Sequence, residues 1–246
     1  MRTGWNVAEV IGVTQETRTA RTLRLRLPGL TGHRPGQHVD VRLTAEDGYT
    51  AVRSYSVASA LPGDELELTV EELDDGEVSP YLVHQVAVGD QLEVRGPVGG
   101  WFVWDPADPS PVQLIAGGSG VVPLMAMIRA HAAASPGSTA PFRLLYSVRS
   151  PDSGYYSAEL DELARSPLLS VTYVYTREAP AGSGITPHRL DAATLLAAVL
   201  PVDDHPAFFI CGATAFVETV ADWLVRAGYP ADRIKTERYG GTGSRP

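Results

Sequence analysis

Apolar and polar residues alternate through roughly the first hundred positions. Leu23, Leu25 and Leu27 are interleaved with Arg24 and Arg26, Val39, Val41 and Leu43 with Asp40 and Arg42, and Leu66, Leu68 and Val70 with Glu65, Glu67 and Thr69. A period of two is that of a half-buried strand. Pro35-Gly36, Pro62-Gly63 and Gly89-Asp90 fall between such runs as turns, at the spacing of an antiparallel barrel or sandwich. One short helix is expected around Pro80 to Val86.

The pattern changes at Asp105-Pro106-Ala107-Asp108-Pro109-Ser110-Pro111, where prolines remove the donors that strand or helix would need. Beyond it, apolar runs alternate with helical periods. Strands are expected at Val112 to Ala116, Phe142 to Tyr146, Leu169 to Tyr175, Ala207 to Cys211 and Ile234 to Tyr239. Helices are expected from Val121, over Ser157 to Arg165, near Leu190 to Val199 and over Ala215 to Ala227, with Ala130 to Ala140 a helix end running into a loop. Repeated strand–helix units imply a parallel sheet covered on both faces. The sequence therefore divides into an antiparallel β-barrel domain, residues 1–106, and an α/β domain, residues 107–246.

The 246 residues suffice for two modest cores, and 44% apolar with 20% charged residues is ordinary for a soluble globular protein. A formal net charge of −9 argues against a general nucleic-acid binder. The single cysteine, Cys211, excludes an intramolecular disulfide and a four-cysteine iron–sulfur cluster within this chain. Met1 to Val13 lacks the apolar run of a signal peptide, and no stretch is long enough to span a bilayer. A cytoplasmic monomer is expected. The six histidines are scattered, without metal-ligand spacing and mostly in loop or surface contexts.

Candidate chemistry enters at three places. Gly117-Gly118-Ser119-Gly120 follows an apolar strand and opens a helix, so its amides and the helix dipole suit an anion; a tight turn without ligand reads equally well. Val121 in the fifth position makes it no nucleophile elbow. Arg53-Ser54-Tyr55-Ser56 offers a planar guanidinium for phosphate and a ring to cover a heterocycle, or else a polar strand with a packed tyrosine. Gly76-Glu77-Val78-Ser79 precedes the short helix with further amides. Cys211-Gly212 ends a strand, where the cysteine is a nucleophile, a small buried apolar group, or a neighbour of a nicotinamide.

The ordered set Pro35-Gly36-Gln37, Arg53-Ser54-Tyr55-Ser56, Gly76-Glu77-Val78-Ser79 with Tyr81-Leu82, Gly96-Pro97-Val98-Gly99, Ala116 to Pro123, Cys211-Gly212 and Glu237-Arg238-Tyr239 resembles the ferredoxin–NADP reductase superfamily over nearly the whole chain. The resemblance implies FAD on the barrel and a nicotinamide dinucleotide on the α/β domain. Arg53 and the amides around Val78 and Ser79 would take the FAD pyrophosphate, with Gly76 and Glu77 in the same turn and Ser54 and Val57 in the flavin strand. Tyr55 would lie against the isoalloxazine, and Ser56 would hydrogen-bond near flavin N5. Gly117, Gly118, Ser119 and Gly120 would pass the dinucleotide pyrophosphate, with Pro123 in the first helical turn. Cys211 and Gly212 would border the nicotinamide. Glu237 and Tyr239 match the family's Glu-x-aromatic pattern, although here Gly240 to Pro246 follow the aromatic residue, and Ala213 stands where many relatives have proline.

Ser147, Arg149 and Arg177 follow the second and third strands of the α/β domain, without an acidic residue placed for the ribose, so NADPH is expected over NADH. The resemblance implies hydride transfer to FAD and single-electron output to a separate protein, a ferredoxin, flavodoxin, haem protein or oxygenase component. Alternatives are a flavin reductase releasing reduced flavin and a non-catalytic flavin-binding subunit.

Overall fold

The computed structural model describes residues 4–60, 63–134 and 140–239. The chain forms two compact units, Met1–Asp105 with Met125–Ala130, and Pro106–Leu124 with His131–Pro246. Gly240 to Pro246, Pro62 of the expected Pro62-Gly63 turn, and positions 135–139 of the alanine-rich segment lie outside the described residues.

In the first unit, alternation becomes pairing. Leu23 faces Leu68 and Leu25 faces Leu66 across antiparallel strands, and all four are fully buried. Burying such a side chain contributes about 1.5–3 kcal/mol. The strands are β1 (Asn6–Thr17), β2 (Ala20–Arg26), β3 (His38–Thr44), β4 (Thr50–Ser56), β5 (Glu65–Glu71) and β6 (Gln91–Val98), with helix α1 (Ser79–His84) after β5. Their order is β4-β3-β6-β1-β2-β5. The two end strands approach each other just past β4, where Val57 bridges Leu68 and the Ala58 N–H donates to Glu67 O at 2.8 Å, so the sheet curls into a barrel. Val78, Leu82 and Val83 from the α1 region enter its core. Arg21 donates from Nη1 to the carbonyls of Val83 at 2.5 Å and Val86 at 3.3 Å, satisfying acceptors at the end of the helix.

The second unit contains β7 (Val112–Gly117), α2 (Val121–Ala133, of which Met125–Ala130 belongs to the first unit), β8 (Phe142–Val148), α3 (Ser157–Leu163), β9 (Leu169–Tyr175), α4 (Ala192–Ala198), β10 (Ala207–Ala213), α5 (Thr214–Arg226) and β11 (Ile234–Tyr239). Every strand pair is parallel, in the order β11-β10-β7-β8-β9. Ile115, Leu145, Phe208 and Ile210 of the sheet pack with Val217, Val220 and Leu224 of α5. Gln113 lies wholly buried in β7 and is satisfied, its Oε1 accepting from Leu200 N at 3.0 Å and its Nε2 donating to Leu114 O at 3.2 Å. His131 departs from the expectation of surface histidines: it is buried, stacked 4.0 Å from Phe142. Among the described residues no helix is long and apolar enough to cross a membrane.

The strand order fixes where a ligand can bind. From β7 the chain builds β8 and β9 on one side, then β10 and β11 on the other. Such a reversal opens a crevice outside the carboxyl ends of the two strands flanking it, here β7 and β10.

Candidate cofactor sites

In the first unit, β4 carries the flavin-motif residues at an end of the strand order. Asp40 lies directly opposite Ser54, and Val39 opposite Tyr55. Tyr55 packs against the barrel core; burial, only partly opposed by the Arg53 charge, pushes its phenol up to about 12. Ser56 and Val57 are buried. The Ser54 hydroxyl is committed to the scaffold, donating to Asp40 Oδ1 at 2.6 Å. Asp40 also accepts from Arg95 Nη2 at 2.6 Å and Nε at 3.1 Å. Burial tends to raise the Asp40 carboxyl, but the bonds from Ser54 and Arg95 outweigh it and hold the group below the ordinary carboxylate range.

Arg53 is half exposed and donates from Nη2 to Glu77 Oε2 at 2.5 Å and from Nη1 to Val52 O at 2.8 Å. The other Glu77 oxygen accepts from the Tyr49 hydroxyl at 2.8 Å. Together the Tyr49 and Arg53 hydrogen bonds lower the Glu77 carboxyl. Glu77 thus joins the flavin strand through its side chain, not only through the amides of its turn. Neither Tyr49 nor this contact was legible in the motifs, because Glu77 lies 24 residues from Arg53. The turn itself is tight: Gly76 N donates to Leu73 O at 2.8 Å, and Ser79 Oγ accepts from Leu73 N at 3.0 Å. The N-terminus of α1 has no side-chain cap, which leaves first-turn amides for an anion.

In the second unit, the glycine turn and Cys211-Gly212 come together at the β7–β10 crevice. Ala116 lies opposite Cys211, and Gly117 opposite Ser147. The glycines answer different requirements. A Cβ on Gly120 would stand 2.0 Å from the Cys211 carbonyl oxygen, and one on Gly117 would stand 2.9 Å from the Phe216 ring. Gly118 alone of the three has a left-handed backbone, φ 56°, and no atom lies within 4 Å of where its Cβ would be. Packing requires Gly117 and Gly120, while Gly118 leaves an open face. Ser119 completes the 3-10 turn Gly118–Gly120, and Pro123 lies in the first turn of α2, which carries neither a side-chain cap nor an acidic residue there. The Val121 N–H donates to the Gly118 and Ser119 carbonyls and Pro123 has no N–H, so a pyrophosphate here would be held chiefly by the glycine turn and the helix dipole. Phe216, which the motifs did not single out, shapes this crevice from α5.

Cys211 is fully buried, and its Sγ lies 4.0 Å from Glu237 Oε2 on the neighbouring strand. Burial first, then the Glu237 charge, raises the thiol far above its ordinary range. A neutral thiol there is a poor nucleophile, which disfavours the nucleophilic reading. Gly212 pairs with Arg238 and Ala213 with Tyr239, so Glu237 and Tyr239 flank the same strand end. Ser147 is buried at the end of β8. Arg149 and Arg177 are exposed on adjoining loops, joined where Arg177 N donates to Arg149 O at 2.9 Å. Glu178, which also donates its N–H to Arg149 O at 3.0 Å, puts an acidic side chain next to Arg177 in sequence.

The oxidoreductase FAD-binding domain family matches residues 7–103, and the oxidoreductase NAD-binding domain family residues 114–222. The ferredoxin–NADP reductase B of Sorangium cellulosum is 34% identical over 212 residues, covering 83% of this chain and 84% of its own length. The chain belongs to the ferredoxin–NADP reductase superfamily. It carries an FAD-binding and an NAD-binding domain of the oxidoreductase type. The reductase component of the naphthalene 1,2-dioxygenase/salicylate 5-hydroxylase systems of a Ralstonia species is 30% identical over 94% of this chain and 67% of its own length. The FAD/NAD-binding domain of a Vibrio cholerae nitric oxide dioxygenase superposes with TM-score 0.84 at 25% identity, covering 98% of this chain and 100% of that one. The chain spans about two-thirds or less of several curated relatives it matches.

Proposed function

We propose that this chain moves hydride from NADPH, with NADH the weaker donor, to FAD and passes electrons singly to a separate acceptor protein. The observation that carries the reading is the convergence of the glycine turn, through Gly117 and Gly120, and Cys211-Gly212 at the switch point of the parallel sheet, where open α/β sheets bind their ligands. The tasks of the protein are then binding and orientation. Arg53 and the first-turn amides of α1 hold the FAD pyrophosphate, Tyr55 lies against the ring system, and Ser56 hydrogen-bonds near N5. Gly118, Ser119 and the start of α2 hold the dinucleotide pyrophosphate. Cys211 and Gly212 border the nicotinamide, Cys211 as a buried uncharged thiol behind the strand end, and Glu237 and Tyr239 line the same strand end. When bound, FAD supplies the conversion of a hydride into single-electron output. Misplacement of these groups is therefore costly although no acid–base step is asked of them.

A separate acceptor is supported by the names of relatives, which include reductase components of oxygenase systems. Preference for NADPH rests on the paired loops carrying Arg149 and Arg177. Removing an arginine that bonds a 2′-phosphate costs about tenfold. We therefore expect Arg149→Ala and Arg177→Ala each to lower kcat/KM for NADPH by that factor with ferricyanide as acceptor, leaving NADH unchanged. Equal losses with both donors would refute the assignment.

A further inference from the structure

We infer that Glu77 competes with the pyrophosphate of FAD for the Arg53 guanidinium, so that this chain takes up its flavin dinucleotide by exchanging one anion for another. The inference rests on the reading that Arg53 holds that pyrophosphate. Three contacts carry it. One Glu77 oxygen accepts from Arg53 Nη2 at 2.5 Å, the other accepts from Tyr49 Oη at 2.8 Å, and Arg53 Nη1 is turned back onto its neighbour's carbonyl, Val52 O, at 2.8 Å. The carboxylate is thus held from both sides, by a phenol from the β3–β4 hairpin and by the arginine itself. It stands in the turn whose amides lead into α1, where the incoming anion must also lie.

A planar guanidinium binds carboxylate and phosphate through the same fork. A pyrophosphate approaching Arg53 must therefore displace Glu77 from Nη2 or accept a second negative charge beside it, and either course weakens binding. Tyr49 stabilises the competing state by holding the carboxylate in place. Replacing the carboxylate with an uncharged group removes the competitor and the repulsion together, so both effects act in one direction. The contribution of an exposed ion pair is modest. The expected change is correspondingly moderate but selective for ligands that carry phosphate.

The test is equilibrium binding of FAD and riboflavin to the full chain freed of flavin, followed by quenching of flavin fluorescence. Glu77→Gln should tighten FAD about fivefold and leave riboflavin, which has no phosphate, unchanged. Tyr49→Phe should tighten FAD in the same direction by less. Arg53→Gln should weaken FAD, and in the Arg53→Gln background Glu77→Gln should tighten FAD by clearly less than in the parent, since only the repulsion is then left to remove. Unchanged or weaker FAD binding by Glu77→Gln, while Arg53→Gln still weakens it, overturns the competition alone. FAD affinity insensitive to Arg53→Gln overturns the phosphate role of Arg53 and the competition with it. An equal effect of Glu77→Gln on riboflavin also overturns the inference, since the carboxylate would then act on the ring end. Should Arg53→Gln fail to fold, Arg53→Lys, which keeps the charge but loses the fork, takes its place with the same expected signs.

Discussion

Gly120→Ala tests the close approach that builds the nucleotide crevice. The φ of Gly120 is −59°, which any residue adopts, so alanine adds crowding alone. Its Cβ would stand 2.0 Å from Cys211 O, 2.4 Å from Cys211 C and 2.7 Å from Gly212 N. Ordinary non-bonded separation is about 3.5 Å, so the backbones must part by about 1.5 Å. The obstacle is main chain, and β10 is bonded on both sides, to β7 and β11, so it cannot yield as a side-chain tip could. Overpacking of this kind costs about 3 kcal/mol, equivalent to a fall of about 6–12 °C in Tm. Gly118→Ala is the control with opposite geometry: φ is 56° and the Cβ meets nothing within 4 Å. Its cost is the left-handed backbone alone, about 1 kcal/mol, while its methyl group projects from the open side of the turn and weakens dinucleotide binding. Thermal unfolding by near-ultraviolet circular dichroism gives the stabilities, and titration with oxidised dinucleotide gives the affinities. A Gly120→Ala protein melting within about 2 °C of the parent, or a Gly118→Ala protein that melts lower than Gly120→Ala, would refute the assignment of one glycine to packing and the other to ligand.

Cys211 should resist disulfide-exchange reagents in the folded protein and react stoichiometrically after unfolding in guanidinium, because burial and Glu237 keep its thiol protonated; rapid labelling under native conditions contradicts that placement. Asp40→Asn should lose about 1–2 kcal/mol at neutral pH in urea unfolding, since Arg95 and Ser54 lose a charged partner. The sign with pH follows from the lowered carboxyl. The contribution of Asp40 is present above the ordinary value of 3.8 and disappears as pH falls through the lower folded value, so the gap between parent and variant should close in acid. A gap that persists or widens in acid excludes this linkage.

The second unit was the more legible in sequence, because strands buried on both faces read as near-continuous apolar runs, such as Ala207 to Cys211 and, broken only by Gln113, Val112 to Ala116. In the barrel, β1 gave no clean period: its pairing with β2 shifts register between Val10 and Gly12 and again between Gln15 and Thr17, and Val7 points outward at 52% exposure. Gly96 and Pro97 interrupt β6 in the same way. The motifs singled out the strand ends proposed here as cofactor sites, but not the contacts each residue makes there. Ser54 bonds Asp40 across the β3–β4 pair, and Glu77 reaches Arg53 from the turn before α1, contacts 14 and 24 residues apart that no motif contains. Gly117, Gly118 and Gly120 are identical letters whose separate causes, an aromatic ring, a left-handed turn and a strand carbonyl, appear only when β10 and α5 are placed beside them.

Anaerobic titration of the FAD-loaded chain with NADPH, and in parallel with NADH, while the visible flavin absorption is recorded, tests the central claim most directly. The account predicts that the oxidised-flavin band bleaches in proportion to added nucleotide, one equivalent per flavin, and faster with NADPH. A band that persists with excess of either nucleotide contradicts it.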